Sequence, residues 1–226
     1  MDMELYHVLN RGVDKRTIFY DTMDHARFVH NLYEFNDARP ALNHGRAVGG
    51  MIDLRGQSFG AEPAQRTMLV DIHGWVLMKN HYHLLLSERV EKGFTKFIMK
   101  LNVGYAKYFN EKYKRKGTLF EGRTKKIHIA DDGHFLHILH YIHLNPLDFL
   151  ETARTWRERR IKNSVAALAH LDSYKWSSYR DYCGEKNFPS VITQELFGDM
   201  FGDYKSAIKG YLQDLEVDSI REFVLE

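Results

Sequence analysis

Two short stretches of the chain gather side chains with chemistry to offer. In Asn80-His81-Tyr82-His83-Leu84-Leu85-Leu86 the two histidines stand two residues apart. On an extended strand residues i and i+2 point to the same side, so His81 and His83 present their imidazoles together while Tyr82 faces away. Two nitrogens on one face suit a divalent metal, and the same pair also serves as hydrogen-bonded structural histidines. The second stretch is His137-Ile138-Leu139-His140-Tyr141-Ile142-His143-Leu144-Asn145-Pro146. A spacing of four puts Tyr141 and Asn145 one turn apart on a helix face, with His137 one turn earlier. A phenol and an amide then project together, although a tyrosine so placed equally well fills a core. The single cysteine, Cys183, excludes an internal disulfide and a thiolate zinc site. Any metal is therefore left to His, Asp, Glu or amide oxygens, and there are 13 histidines.

The elements that must position these groups are legible from periodicity. Leu5 to Asn10 reads as a strand, and Asp24 to Phe35 carries Phe28, Leu32 and Phe35 at the spacing of one helix face. Residues 37 to 67 hold Gly and Pro without a sustained period and read as a surface insertion. Met68 to Met78 and His81 to Ser87 are strand-like runs separated by Lys79-Asn80, a gap that suits a hairpin. Phe94 to Tyr113 has apolar residues at helical spacing with Lys96, Lys100 and Lys107 between them. Gly117 breaks that helix, Lys125 to Ile129 alternates as a strand, and Asp131-Asp132 can cap a helix that stops at Pro146. The order β-α-β-β-α-β-α predicts an α+β fold, a ferredoxin-like split β-α-β core with an antiparallel sheet and helices on one face. Residues 151 to 173 read as an Arg-rich helix. Residues 1–183 are expected as one domain and 184–226 as an acidic helical C-terminal extension.

The 226 residues are 44% hydrophobic and 27% charged, the composition of an ordinary globular protein. No run approaches the roughly 18 apolar residues of a membrane span, and Met1-Asp2-Met3-Glu4 lacks a signal-peptide pattern, so a cytoplasmic protein with no membrane partner is expected. The net charge of +2 conceals an uneven distribution: residues 89 to 129 carry 12 basic and 3 acidic side chains, and residues 181 to 226 carry 4 and 10. A basic block of that density is the footprint of a polyanion, or else a solvated helix face.

Taken together, these stretches resemble the HUH single-tyrosine transposases, the insertion-sequence enzymes and the REP-associated tyrosine transposases. The resemblance begins at Tyr6-His7-Val8-Leu9-Asn10-Arg11-Gly12 and runs through Ile18-Phe19, Asp21 and Phe28. It continues through Trp75-Val76-Leu77-Met78, Asn80-His81-Tyr82-His83-Leu84-Leu85, Gly117-Thr118-Leu119-Phe120-Glu121-Gly122-Arg123 and Tyr141-Ile142-His143-Leu144-Asn145-Pro146, then resumes at Trp176-Ser177-Ser178-Tyr179. The chain departs from the family pattern at Lys79, where Pro is common, at Glu121, where Gln is common, and in the 37 to 67 insertion.

The resemblance implies a division of roles. His81 and His83 match the two metal-binding histidines, Asn145 matches the third metal ligand, and Tyr141 matches the nucleophile. Mg²⁺ or Mn²⁺ is the implied cofactor. The implied activity is cleavage and rejoining of single-stranded DNA, beside a hairpin, through a 5′-phosphotyrosine. Arg11, Arg123 and Lys125 fall in blocks whose basic residues face DNA, and Lys96 and Lys100 join them from the basic block. His137 is a further candidate base or ligand. A homodimer, in which the tyrosine helix serves the partner's histidines, and a monomer are both compatible with the family. Three other readings remain: a domesticated relative that only binds hairpin DNA, a replication or mobilisation nickase sharing the HUH core, and an unrelated metal-dependent phosphoesterase. Retention of all four site residues speaks against the first of these, motif order against the second, and Tyr141 against the third.

Overall fold

The alternating stretches Leu5–Arg11 (β1), Val70–Met78 (β2), His81–Glu88 (β3) and Lys125–His128 (β4) form one four-stranded sheet in the order β2-β3-β1-β4. Each neighbouring pair is antiparallel, with Leu9 opposite His83, Val76 opposite His83 and Leu9 opposite Lys125. The computed structural model describes residues 4–39, 66–130 and 132–224. Most of the expected insertion, Asp131, and the side chain of Asp132 therefore lie outside the described residues.

Because side chains alternate across a strand, the sheet sorts its residues onto two faces. Val8, Trp75, Leu77, Tyr82, Leu84 and Leu86 are buried in one cluster with the helices Thr22–Glu34 (α1) and Gly93–Lys112 (α2). This is the expected ferredoxin-like core. α1 starts two residues earlier than periodicity indicates because Asp21 and Asp24 form a capping box around its first turn. Leu5, Val76, Met78 and Leu85 face the other way and pack against the helix Asp132–Leu144 (α3). The expectation of helices on one face thus describes α1 and α2, while α3 and the C-terminal helices add a layer on the opposite side.

The region after α3 departs from expectation. Only Ser164–Ser173 (α4) of the predicted Arg-rich helix is α-helical; residues 145–158 include three short 3-10 turns. Arg159 has φ 58°, which breaks a continuing helix, and Asn163 starts α4 by accepting from the Ala166 amide at 2.8 Å. Trp156 and Ala153 are buried, which pins this segment over the end of α3. A short helix, Tyr179–Tyr182 (α5), follows. The acidic tail is two helices, Glu195–Phe201 (α6) and Tyr204–Val224 (α7), separated at Gly202, whose φ is 56°. Phe197, Tyr204, Ile208, Leu212 and Leu215 are buried in the same cluster as α3, so the segment expected as an extension shares the core of the expected domain.

Candidate active site

Three ties hold α3 against the sheet. At Gly74 of β2 an added Cβ would stand 2.8 Å from Leu139 Cδ1, so the missing side chain lets the helix approach closely. His143, fully buried, meets Ser178 Oγ through Nε2 and Tyr204 Oη through Nδ1, both at 2.7 Å. Ser178 in turn accepts from the Trp75 amide at 2.9 Å. The Trp176-Ser177-Ser178 segment lies along β2, with the Leu77 amide donating to Trp176 O.

With α3 fixed in this way, Tyr141 meets the histidine pair within one chain. Its ring centroid is 6.0 Å from that of His83 and 5.8 Å from that of His7 on β1. The rings of His81 and His83 lie 5.0 Å apart and nearly perpendicular, so the strand does place the two imidazoles on one side. Tyr82 faces the other layer, where its hydroxyl donates to Asn102 at 2.8 Å.

Each imidazole has its Nδ1 engaged by a neighbour. His81 Nδ1 meets Asn80 Oδ1 at 2.7 Å, and because an amide oxygen only accepts, Nδ1 carries the proton. His83 Nδ1 meets His7 Nε2 at 2.8 Å. Burial pushes the His81 imidazole down to about 4, with Asp148 opposing and Arg157 and Arg11 adding to the shift. Burial also holds His83 well below the ordinary histidine value, and His7, His81 and Arg157 reinforce it. Both rings are therefore neutral near pH 7, the form in which imidazole binds metal.

Asn145 is fully buried at the end of α3. Its Nδ2 donates to the carbonyls of Tyr141 at 2.8 Å and Ile142 at 3.3 Å, capping the helix. Its Oδ1 accepts from Arg157 Nη2 at 2.8 Å. The donor set fits a divalent cation at the two imidazoles, whereas the amide oxygen meets a guanidinium. Among the described residues no three His, Cys, Asp or Glu side chains are gathered to hold a metal ion.

The remaining predicted residues scatter. His137 is exposed and lies 6.4 Å from the ring of Tyr211 on α7. Lys96, Arg123 and Lys125 are exposed. Arg11 is paired with Glu121, so the Glu that departs from the family pattern neutralises the Arg of the first block. Lys100 is committed elsewhere: Nζ donates to the carbonyls of Asp37 at 2.5 Å and Arg39 at 2.7 Å. Sequence reasoning missed His7, Arg157 and Trp156. For His7 a signal existed, since it lies two strand positions from Leu9, which faces His83 in register.

Residues 60–145 match the family described as IS200-like transposase. No curated protein is significantly similar to the chain. Among solved structures, a REP-associated tyrosine transposase bound to a REP hairpin aligns with 84% of this chain and 85% of its own at 12% identity, with a TM-score of 0.44. Among the described residues no helix is long and apolar enough to cross a membrane. The matched segment, which spans less than half of the chain, contains His81, His83, Tyr141 and Asn145, and over it the chain is similar to the IS200-like transposases.

Proposed function

We propose that this chain cleaves and rejoins single-stranded DNA through a covalent bond to Tyr141. The observation that carries the reading is the position of the Tyr141 ring 6.0 Å from His83 of the same chain, which lets one protomer supply both the nucleophile and the histidine pair. In the first step the Tyr141 oxygen, having lost its proton, attacks the scissile phosphorus. The bond from phosphorus to the 3′ oxygen breaks, that oxygen takes up a proton, and the 5′ phosphate remains on the tyrosine. Attack by a 3′ hydroxyl on this linkage reverses the process and frees Tyr141. The number of phosphodiester-type bonds is unchanged throughout, so no external energy source is required.

His81 and His83 would hold Mg²⁺ or Mn²⁺, and Asn145 would join them through the lone pair of Oδ1 that Arg157 leaves free. A cation there would supply charge stabilisation to the phosphate as it becomes more negative. Neutral imidazoles with Nδ1 held by Asn80 and His7 support this role, because the partners fix the ring orientation and the tautomer. A scissile phosphate must be unstacked to reach a tyrosine at the sheet surface, which favours single-stranded DNA next to a hairpin. The exposed Lys96, Arg123 and Lys125 are suited to its backbone.

The test is to incubate the protein with Mn²⁺ and single-stranded oligonucleotides that carry hairpins, then resolve the products under denaturing conditions. A DNA adduct stable to denaturant and lost on mutation of Tyr141 is the expected result. Binding without adduct under all conditions would leave only the hairpin-binding reading.

A further inference from the structure

We propose that Arg157 is a positioning residue for the nucleophile, fixing Tyr141 and Asn145 relative to each other beside the histidine pair. The proposal rests on the single-tyrosine reading above. Arg157 lies outside the segment that carries the family match, in the stretch read from sequence as an Arg-rich helix. The fold lays it against the end of α3 instead, with its side chain still 39% exposed. Its Nη2 donates to Asn145 Oδ1 at 2.8 Å, and its guanidinium carbon sits 5.8 Å from the centroid of the Tyr141 ring. One side chain thus touches both functional groups of the α3 terminus.

Arg157 is itself held in place. Nη1 is paired with Asp148, and the guanidinium lies 4.3 Å over the ring of Trp156. Trp156 is buried, its indole nitrogen donates to the same Asp148 oxygen at 2.9 Å, and its ring is 5.6 Å from that of Tyr141. Asp148 and Trp156 therefore orient the arginine, and the arginine and Trp156 border the tyrosine on adjacent sides. A planar fork with five donors can serve Asp148, Asn145 and a phenol oxygen at once, which a lysine cannot. Arg157 adds to the contacts that Trp156, His83 and His7 make with the ring, and misplacing a nucleophile by about 1 Å can cost about 10² in rate.

The experiment measures single-turnover cleavage at saturating hairpin-bearing single-stranded DNA with Mn²⁺, and DNA affinity separately. The comparison includes the parent, Arg157→Gln, Arg157→Lys and the nearby exposed Arg154→Gln as a control for lost basic charge. Arg157→Gln is expected to lower the saturating rate by about 10²-fold with DNA affinity within about threefold of the parent. Arg157→Lys should fall between them, added guanidinium ion should restore part of the Gln variant's rate, and Arg154→Gln should match the parent. If the Gln variant fails to fold by circular dichroism, the Lys variant decides by the same split between rate and affinity. A saturating rate within threefold of the parent overturns the proposal. So does a loss confined to DNA affinity, which would make Arg157 a phosphate contact. A parent that forms no adduct at all marks failure of the single-tyrosine reading, and this inference fails with it.

Discussion

His7 Nε2 on β1 lies 2.8 Å from His83 Nδ1 on β3, with the two rings stacked 5.0 Å apart. For His83 to offer Nε2 to a cation, its Nδ1 must carry the proton and donate to His7, so His7 selects the ligand tautomer. His7→Ala is expected to weaken Mn²⁺ binding by about 10- to 100-fold, the usual cost of losing such an outer partner. Calorimetric titration of the DNA-free protein measures it. Unchanged affinity in a folded variant would mean that His83 is oriented without His7, or that the pair holds no metal.

Tyr141→Phe tests the nucleophile with little structural cost. The ring packs between Trp156, His83 and His7, and Phe retains those contacts. Covalent adduct and cleavage should disappear while DNA affinity stays within about twofold. A denaturant-stable adduct in the Phe variant would move the chemistry to another residue.

Lys100 differs from the other basic candidates in what it holds. Burial pulls its ammonium below the ordinary lysine value, and its two carbonyl partners tie α2 to the residues that follow α1. Lys100→Gln should therefore cost about 1.5–3 kcal/mol of folding stability, the range for hydrogen bonds to charged groups, and leave the salt dependence of DNA binding unchanged. The triple variant Lys96→Gln, Arg123→Gln, Lys125→Gln should flatten the slope of log affinity against log salt by up to about 0.7 per lost phosphate contact. Equal slopes for the triple variant and the parent would place the DNA path elsewhere. A flattened slope for Lys100→Gln alone would return that lysine to the interface.

Local rules explain where sequence reading succeeded. The period-two and period-3.6 patterns of β1, β3, α1 and α2 are set by burial on both sides of the sheet, and the turn at Lys79-Asn80 follows from the short gap between two apolar runs. His81, His83, Tyr141 and Asn145 stand in two local stretches, so fixed offsets placed each pair on a common face. Arg157 has no such offset. It reaches Tyr141 only because Trp156 is buried and Arg159 takes a left-handed conformation, and neither a tryptophan nor an arginine announces that in advance. Similarly, α7 reads as a mixed acidic segment, yet Tyr204, Ile208, Leu212 and Leu215 form a buried stripe at helical spacing whose partners, chiefly α4 and also α3, lie far earlier in the sequence.

His140 provides a test of the C-terminal layer. Its ring is buried among Phe201, Tyr204 and Tyr211 at centroid distances of 4.9, 5.5 and 5.4 Å, and among the described residues neither ring nitrogen has a hydrogen-bond partner. Burial, with a smaller push from His137, lowers its pKa to about 4, against 6.5 for an ordinary histidine. Above pH 6.5 the ring is neutral whether the chain is folded or not. Below that the unfolded chain binds a proton that the folded one refuses, so stability falls as pH drops from 6.5 through 4, by about 3 kcal/mol over the whole window. Asp181, raised to about 6 by burial, acts in the opposite sense, since its contribution is lost as pH rises through that value. It does so equally in the parent and in a His140 variant and cancels in their difference. His140→Phe keeps an aromatic ring in an aromatic site and cannot be protonated. Its melting temperature relative to the parent should therefore rise as pH is lowered from 7 to 4.5, by several degrees at about 2–4 °C per kcal/mol for a chain of this size. Parallel melting curves across that range would show that His140 is protonated in the folded protein or reaches water, and that the layer between α3 and α7 is looser than its ring packing implies.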